Sequence, residues 1–116
     1  MDFSAQRVVV TGGAGFLGKN LQARLREAGV GPGNLLVPTI EQYDLTREPD
    51  VERMYADMRP TVVIHLAAEV GGIGANRENP GRFFYSNMAM GLHLIEQARI
   101  VGLRKFLQVG TICAYP

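Results

Sequence analysis

The sequence predicts a doubly wound α/β fold, in which a parallel sheet carries helices on both faces. Three observations lead to this prediction. Short β-branched runs alternate with stretches of helical periodicity, a glycine cluster directly follows the first run, and the 14 glycines among 116 residues stand in groups rather than evenly. The composition, 47% hydrophobic and 20% charged, is that of a globular domain. A chain of this length forms one compact unit at most.

Composition also excludes several classes of function. A net charge of +1 argues against an electrostatic nucleic-acid binder. The single Cys can form neither an intramolecular disulfide nor a Cys-cluster zinc site. No apolar run approaches the ~20 residues that span a bilayer, and the N-terminus lacks the basic and apolar regions of a secretory signal. We therefore expect a cytoplasmic protein with no metal, membrane or nucleic-acid partner.

Five short apolar runs predict strands. They lie at residues 7–11, 35–37, 43–45, 61–67 and 105–110, and the third is the briefest. Their alternation with helices implies parallel strands joined by right-handed crossovers, and we expect the strand order 3-2-1-4-5. The fifth strand would be an apolar edge with nothing beside it. We therefore expect these 116 residues to be the N-terminal part of a longer protein, with the sheet truncated after the fifth strand.

Three helices are predicted between these runs. The first starts near residue 15, ends near Gly29, and carries on one stripe Leu17, Leu21, Leu25 and Ala28. The second is capped by Thr46, holds Pro49 in its first turn and ends at about Met58. The third runs from Asn79-Pro80 to Gly102. Its stripe consists of Phe84, Met88, Leu92, Ile95 and Arg99, with Gly91 and Ala98 beside it.

The glycines after the first strand have the spacing of a phosphate-binding turn. Gly12 permits a tight turn, Gly15 leaves the backbone open to a pyrophosphate, and Gly18 lets helix and sheet pack closely. The helix N-terminus adds free amides and a positive dipole end. A tight turn without a ligand is the alternative, but a strand before and a helix after it favour dinucleotide binding. The predicted contacts are Gly12, Gly13, Ala14, Gly15, Phe16, Leu17 and Gly18.

The residues after the second predicted strand do not distinguish an NAD site from an NADP site. An NAD site usually carries an acid about 20 residues beyond the glycines. The second strand ends in Val37-Pro38-Thr39, with neither an acid nor an arginine. Asp44 comes later, and it either approaches the adenosine end of the cofactor or is a turn residue.

Reactive side chains follow the last predicted strand. Ligands of open α/β sheets bind beyond the carboxyl ends of the strands. There Thr111 offers a hydroxyl for a substrate carbonyl, and Cys113 offers a thiol that can move a proton. Taken alone, Cys113 is more often a small buried apolar residue, and His65 is more often a packed strand residue than a catalyst.

Three segments resemble the extended short-chain dehydrogenase/reductase superfamily. Residues 10–18 carry the glycine pattern that the whole superfamily shares. Residues 65–76 have the core Val-Gly-Gly-Ile-x-Ala-Asn and continue to Asn79-Pro80, and this pattern resembles one family of the superfamily in particular. Residues 109–116 contain Gly-Thr-x-Cys-x-Tyr-Pro. The last two segments resemble the GDP-L-fucose synthase family, which comprises NADP-dependent GDP-4-keto-6-deoxy-D-mannose epimerase-reductases.

This resemblance implies an incomplete NAD(P)-binding domain over residues 1–116, without the substrate domain, and a homodimer in the complete protein. NADP is the implied cofactor and NAD the alternative, because Pro38 and Thr39 stand where the family commonly has a basic residue. Beyond the glycine turn, the expected cofactor contacts are Asp44, Leu45, Leu66, Ala67, Ala68, Val109, Gly110, Thr111 and Ile112.

The resemblance also implies roles for individual residues on a nucleotide-sugar substrate. Thr111 matches the Ser/Thr that polarises the keto oxygen, and Cys113 matches the cysteine that moves protons at the carbons flanking the ketone. Asn87 matches a polar position near the active site, with a surface helix residue as the alternative. The expected substrate-side residues are Val70, Gly71, Gly72 and Asn76.

Tyr115 is not the family's catalytic tyrosine, because the Tyr-x-x-x-Lys pair of the family lies further along and is not in this sequence. We therefore expect the 116-residue chain alone to be inactive. Two other functions stay open: a related nucleotide-sugar epimerase or dehydratase, and a non-catalytic dinucleotide-binding module. The module predicts that no Tyr-x-x-x-Lys is encoded downstream.

Overall fold

The computed structural model describes residues 2–67 and 80–109. Four strands and three helices alternate within these ranges. They are β1 (Val8–Thr11), α1 (Phe16–Glu27), β2 (Leu35–Leu36), α2 (Glu48–Met58), β3 (Val62–His65), α3 (Pro80–Val101) and β4 (Lys105–Gln108). All strand pairs are parallel, in the order β2-β1-β3-β4. The predicted doubly wound α/β class is confirmed.

The sheet is packed on both faces. Every residue of β1 and β3 is buried, which explains why both strands are continuous apolar runs in the sequence. On one face, Val9 and Val63 belong to a core cluster with residues of α2 and α3. On the other face, Val8 and Ile64 pack against Leu25 of α1. The carboxyl ends of β1 and β3 are thereby held side by side at the point where the strand order reverses.

The predicted strand at residues 43–45 is wrong. Oδ1 of Asp44 accepts hydrogen bonds from the amide of Thr46 at 3.0 Å and from its hydroxyl at 2.6 Å. The amide of Asp44 donates to Oδ2 of Asp50 at 2.8 Å. These side-chain bonds take the groups that a strand ladder would use, so the segment forms a turn. Once that strand is removed from the expected order 3-2-1-4-5, the remaining four strands have the observed order β2-β1-β3-β4.

Two details of the predicted helices are corrected as well. The N-cap of α2 is Arg47 rather than Thr46, whose hydroxyl is bound to Asp44. In α3 the predicted stripe lies on the exposed side, with Phe84 69% and Leu92 61% exposed. The buried side consists of Ser86, Ala89, Met90, Leu94 and Ala98. Apolar residues occur all round α3, so the helical period alone did not identify the side that meets the sheet.

The ends of the helices agree better with the sequence. Gly29 follows α1 with φ +111°, and the amide of Val30 donates to the carbonyl of Leu25 at 3.0 Å, as in a Schellman motif. Gly102 likewise follows α3 with φ +72°. In α1, Leu25 is buried and Leu21 half-buried, whereas Leu17 and Ala28 are exposed.

β4 forms one edge of the sheet that the described residues build. Leu107 within it and Val109 after it are each about half exposed. No helix in the described part of the chain is both long and apolar enough to cross a membrane.

Candidate functional site

A cavity of about 750 Å³ opens where β1, β2 and β3 end. Its wall comes from the glycine turn after β1, from residues 37–46 after β2, and from Ala67 after β3. Arg82, Ser86 and Met90 on the first half of α3 also line it. The cavity thus lies at the carboxyl ends of the strands and beside the reversal of strand order, where ligands of doubly wound sheets bind.

The inner side of the glycine turn is in tight contact with the protein. Gly12 has φ +71°, and a Cβ on it would lie 2.7 Å from the amide nitrogen of Ala67. A Cβ on Gly18 would lie 2.6 Å from the carbonyl oxygen of Gly12 and closer still to Cα of Gly13. Backbone atoms cannot move aside cheaply, so both positions require glycine for the fold itself.

Gly15 differs from its neighbours. It has ordinary extended angles, φ −76° and ψ 177°, and among the described residues a Cβ on it would meet the carbonyl oxygen of Gly12 alone, at 3.6 Å. The fold therefore has room for a side chain at this position. Gly15 is also the N-cap of α1, so the cap position makes no side-chain hydrogen bond to the helix amides, and the first turn contains no acidic residue. The structure thus leaves an uncapped helix N-terminus whose cap residue carries no side chain, which is the form of a backbone anion site.

Thr11 and His65 join the ends of β1 and β3 beneath this turn. They are register partners, and both are buried. Oγ1 of Thr11 lies 2.6 Å from Nδ1 of His65 and accepts from the amides of Leu66 and Ala67, each at 3.1 Å. Burial lowers the pKa of His65, so the neutral imidazole is favoured. His65 is thus a packed strand residue with a polar partner.

The segment after β2 brings charge to the cavity. The hydrogen bonds from Thr46 keep the pKa of Asp44 below its usual value, so Asp44 is ionised. Asp44 therefore both holds the turn and lines the cavity, and its two predicted roles are compatible. Glu41 and Arg82 are the other charged residues among the described residues of the wall.

The expected cofactor contacts are distributed unevenly around the cavity. Those on its wall are Gly12, Gly13, Ala14, Asp44, Leu45 and Ala67. Gly15, Phe16, Leu17 and Gly18 form the adjoining start of α1. Leu66 packs towards the α1 side of the core, Val109 follows the edge strand, and Asn87 is half-buried on α3. The remaining predicted site residues lie outside the described ranges: Ala68, Val70, Gly71, Gly72, Asn76, Gly110, Thr111, Ile112 and Cys113.

Several wall residues were not predicted as cofactor contacts. Val37, Pro38 and Thr39 follow β2 directly, and the rule that ligands bind beyond strand ends applies to β2 as it does to β1. Arg82 and Ser86 had no comparable signal, because only the side of α3 that meets the sheet brings them to the cavity.

The parallel sheet, the glycine turn at its switch point and the cavity define a Rossmann-type α/β domain. Residues 8–116 match the NAD dependent epimerase/dehydratase family. The chain belongs to that family, and the resemblance noted in the sequence is confirmed.

Similar proteins within this family include several that are named as GDP-sugar synthases. The chain is 35% identical to GDP-L-fucose synthase 1 of Arabidopsis thaliana, over 100% of this chain and 35% of the relative. It is 33% identical to GDP-L-colitose synthase of Yersinia pseudotuberculosis, over 95% of this chain and 35% of the relative. The structure of a GDP-L-fucose synthetase from Naegleria fowleri bound to NADP is similar with a TM-score of 0.78 and 26% identity, over 94% of this chain and 32% of that one. The chain spans about a third of the length of these relatives.

Proposed function

We propose that this chain is the NADP-binding part of a nucleotide-sugar epimerase-reductase, and that the whole protein converts GDP-4-keto-6-deoxy-D-mannose by epimerisation at C3 and C5 and reduction at C4. The observation that carries the dinucleotide proposal is the open space around Gly15 at the N-terminus of α1. The fold has room for a side chain there, and glycine instead leaves the N-terminus of α1 open. The names of the relatives at 33–35% identity support the GDP-sugar substrate.

The described residues fit a dinucleotide. The amides at the start of α1 would bind the pyrophosphate, and the cavity between the ends of β1 and β2 would hold the adenosine half. Asp44 would contact that half from the segment after β2. When bound, the nicotinamide supplies the hydride for reduction. This chain's contribution is to bind and orient the cofactor, and Leu45 and Met90 are among the apolar residues that line the cavity.

NADP is the preferred cofactor in this proposal, with NAD as the alternative. The NADP bound in the Naegleria structure supports it. The wall segment after β2 carries Pro38 and Thr39 where a basic residue is common in the GDP-L-fucose synthases, so any contact to the 2′-phosphate has to come from another position.

The chemical roles rest on the resemblance of residues 109–116. We propose that Thr111 donates a hydrogen bond to the keto oxygen and that Cys113 moves protons at the flanking carbons, because a ketone acidifies its neighbouring C–H bonds. Val70, Gly71, Gly72 and Asn76 would face the sugar nucleotide. We further propose that the chain is an incomplete domain whose substrate domain and Tyr-x-x-x-Lys pair follow it, and that the whole protein is a homodimer.

Calorimetric titration of the chain with NADP+ and with NAD+ tests the cofactor proposal. We expect saturable binding of both, with NADP+ the tighter ligand. A chain that is folded by circular dichroism and binds neither nucleotide would overturn the proposal, whereas tighter binding of NAD+ would reverse the preference.

The substrate proposal needs the full-length gene product. With GDP-4-keto-6-deoxy-D-mannose in D₂O, we expect deuterium to enter at C3 and C5 and NADPH to be consumed. Cys113→Ser should suppress deuterium exchange, because the hydroxyl is far less acidic than the thiol. Thr111→Val should instead slow NADPH consumption. Reduction without any exchange in the wild-type protein would favour a C4 reductase over an epimerase-reductase.

A further inference from the structure

Thr11 and His65 form a buried hydrogen bond, and the other hydrogen bonds of Thr11 show which of the two side chains donates the shared proton. Thr11 is 1% and His65 4% exposed, and the two residues are the last register pair of β1 and β3. Oγ1 of Thr11 and Nδ1 of His65 are 2.6 Å apart, so one of the two atoms donates a proton to the other.

The other partners of Thr11 decide which atom donates. Its Oγ1 accepts from the amide of Ala67 at 3.1 Å. It also accepts at 3.1 Å from the amide of Leu66, which is shared with the carbonyl oxygen of Thr11. A hydroxyl has two lone pairs and one proton. With both lone pairs engaged by amides, the hydroxyl proton points to Nδ1 of His65, which is therefore an unprotonated acceptor.

The bound amides belong to the segment that supports the glycine turn. A Cβ on Gly12 would lie 2.7 Å from the nitrogen and 2.8 Å from Cα of Ala67, so the two backbones are in direct contact. Gly12 and Ala67 both line the cavity. The hydroxyl of Thr11 thus bonds the two residues after β3 at the place where their backbone contacts the turn after β1.

We infer that His65, as the neutral tautomer with its proton on Nε2, is a positioning residue of the dinucleotide site: it directs the Thr11 hydroxyl so that Oγ1 holds the Leu66 and Ala67 amides against Gly12. This inference rests on the proposed function. An imidazolium would carry a proton on Nδ1 and displace the hydroxyl proton, so one of the two amide bonds would be lost.

The surroundings of His65 favour the neutral ring. The ring of Phe106 lies 6.4 Å away between centroids. The charged groups on the neighbouring strands are Arg7 before β1 and Lys105 at the start of β4, both at the opposite end of the sheet. On the helices that cover the Val9 and Val63 face of the sheet, Tyr55 is buried, and its hydroxyl donates to the carbonyl of Leu94. Arg82 lies on the cavity wall. Burial is the cause that lowers the pKa of His65, in agreement with a neutral ring.

The tautomer can be measured directly on the wild-type chain. Long-range ¹H–¹⁵N correlation at pH 7.5 should give a pyridine-like Nδ1 and a protonated Nε2 for His65, with His65→Asn identifying the signals by their loss. A protonated Nδ1 at this pH would overturn the inference whatever the variants do.

Two variants separate positioning from packing. His65→Asn places an amide oxygen near the position of Nδ1, whereas His65→Leu fills similar space without an acceptor. Titrated with NADP+ at pH 7.5, His65→Leu should bind about tenfold more weakly than the wild type, since a buried hydroxyl loses its acceptor. His65→Asn should stay within about threefold of the wild type. The same order is expected with NAD+, because the effect does not involve the 2′-phosphate.

Each result has one meaning. Equal affinities of His65→Leu and the wild type would overturn the inference, and so would equal weakening by Leu and Asn. If His65→Leu does not fold by circular dichroism, Thr11→Ser and Thr11→Ala replace it: Ser should bind like the wild type and Ala should bind more weakly. If the wild type is folded and binds neither nucleotide, the proposed function fails, and the tautomer measurement still tests the hydrogen-bond assignment separately.

Discussion

The glycine turn after β1 has an inner side that faces the protein and an outer side that faces open space, and glycine serves a different purpose on each. On the inner side, a Cβ at Gly12 or Gly18 would collide with backbone atoms within 3 Å. On the outer side, a Cβ at Gly15 would meet one atom of the described part of the chain, at 3.6 Å, which is ordinary contact. The same spacing pattern therefore contains two requirements, one for folding and one for a ligand.

This difference shows why a glycine pattern is weak evidence until its geometry is known. A tight turn that binds nothing would need its inner glycines equally, but it would need Gly15 only as an N-cap, a position that Ser, Thr, Asn or Asp fills equally well. Substitutions on the two sides should consequently separate stability from binding.

The largest effect is expected on the inner side, at Gly18. A side chain there would be within 2.6 Å of the Gly12 carbonyl oxygen and the Gly13 carbonyl carbon, and α1 would have to move off the turn. We expect Gly18→Val to lower the free energy of unfolding by about 3 kcal/mol or more, measured by urea denaturation. Ala23→Val, on the exposed side of α1, controls for helix propensity and should cost about 0.6 kcal/mol. Equal losses for the two variants would contradict the inner-side contact.

The next largest effect is expected on the outer side, at Gly15. Gly15→Val should leave the free energy of unfolding within about 1 kcal/mol of the wild type, which is the usual cost of a poorer N-cap residue. It should weaken dinucleotide binding about 100-fold, or about 2.7 kcal/mol, by covering the amides of α1.

Gly31→Val is the matched control for this variant. Gly31 is the N-cap of a short 3-10 helix, Pro32–Asn34, and is also in extended conformation. A Cβ on it meets no described residue within 4 Å, and it lies before β2 and away from the cavity. Nucleotide affinity should be unchanged in it. Unchanged affinity in Gly15→Val would place the pyrophosphate elsewhere.

A smaller effect should distinguish a side-chain contact from a backbone contact within the turn. A Cβ on Gly13 would lie 2.5 Å from Cγ1 of Val37, a side chain that can be shortened. We expect Gly13→Ala to cost about 1–2 kcal/mol of stability and Val37→Ala to recover part of this loss in the double variant. Strict additivity of the two substitutions would show that the turn shifts instead of pressing on Val37.

Parts of the fold that were predicted correctly are those where local and tertiary demands agree. Val8–Val10 and Val62–Ile64 are fully apolar because both faces of β1 and β3 are covered. Gly29 and Gly102 end helices because their positive φ is costly for other residues. The glycine turn could be predicted as a turn for the same reason.

Parts that were not predicted depend on side-chain partners that the hydrophobic pattern does not reveal. Asp44 and Asp50 turn the segment after β2 away from a strand through bonds that composition does not reveal. The side of α3 that meets the sheet is decided by which of two apolar stripes fits, and the sheet selects Met90 and Leu94. Arg82 and Ser86 reach the cavity only as a consequence of that choice.

The smallest effect expected is a pH dependence of stability that comes from His65, beneath the inner side of the glycine turn. Burial lowers the folded-state pKa of His65 below the usual 6.5. Between these two values the unfolded chain binds more protons, so stability rises with pH. The contribution of His65 is complete above about pH 6.5 and is lost as the pH falls through the folded-state pKa. The slope from this single residue is at most about 1.4 kcal/mol per pH unit.

Urea denaturation of the wild type and His65→Asn between pH 7.5 and pH 5 measures this contribution. The hydrogen bonds from Thr46 that lower the pKa of Asp44 below its usual 3.8 place that carboxylate's titration outside this range. The wild type should lose stability faster than His65→Asn as the pH falls, because only the wild type has at this position an imidazole that the unfolded chain protonates more readily than the folded chain. Parallel curves would show that the folded chain takes up the proton on His65 as readily as the unfolded chain does, and the hydroxyl of Thr11 would then hold the Leu66 and Ala67 amides independently of pH.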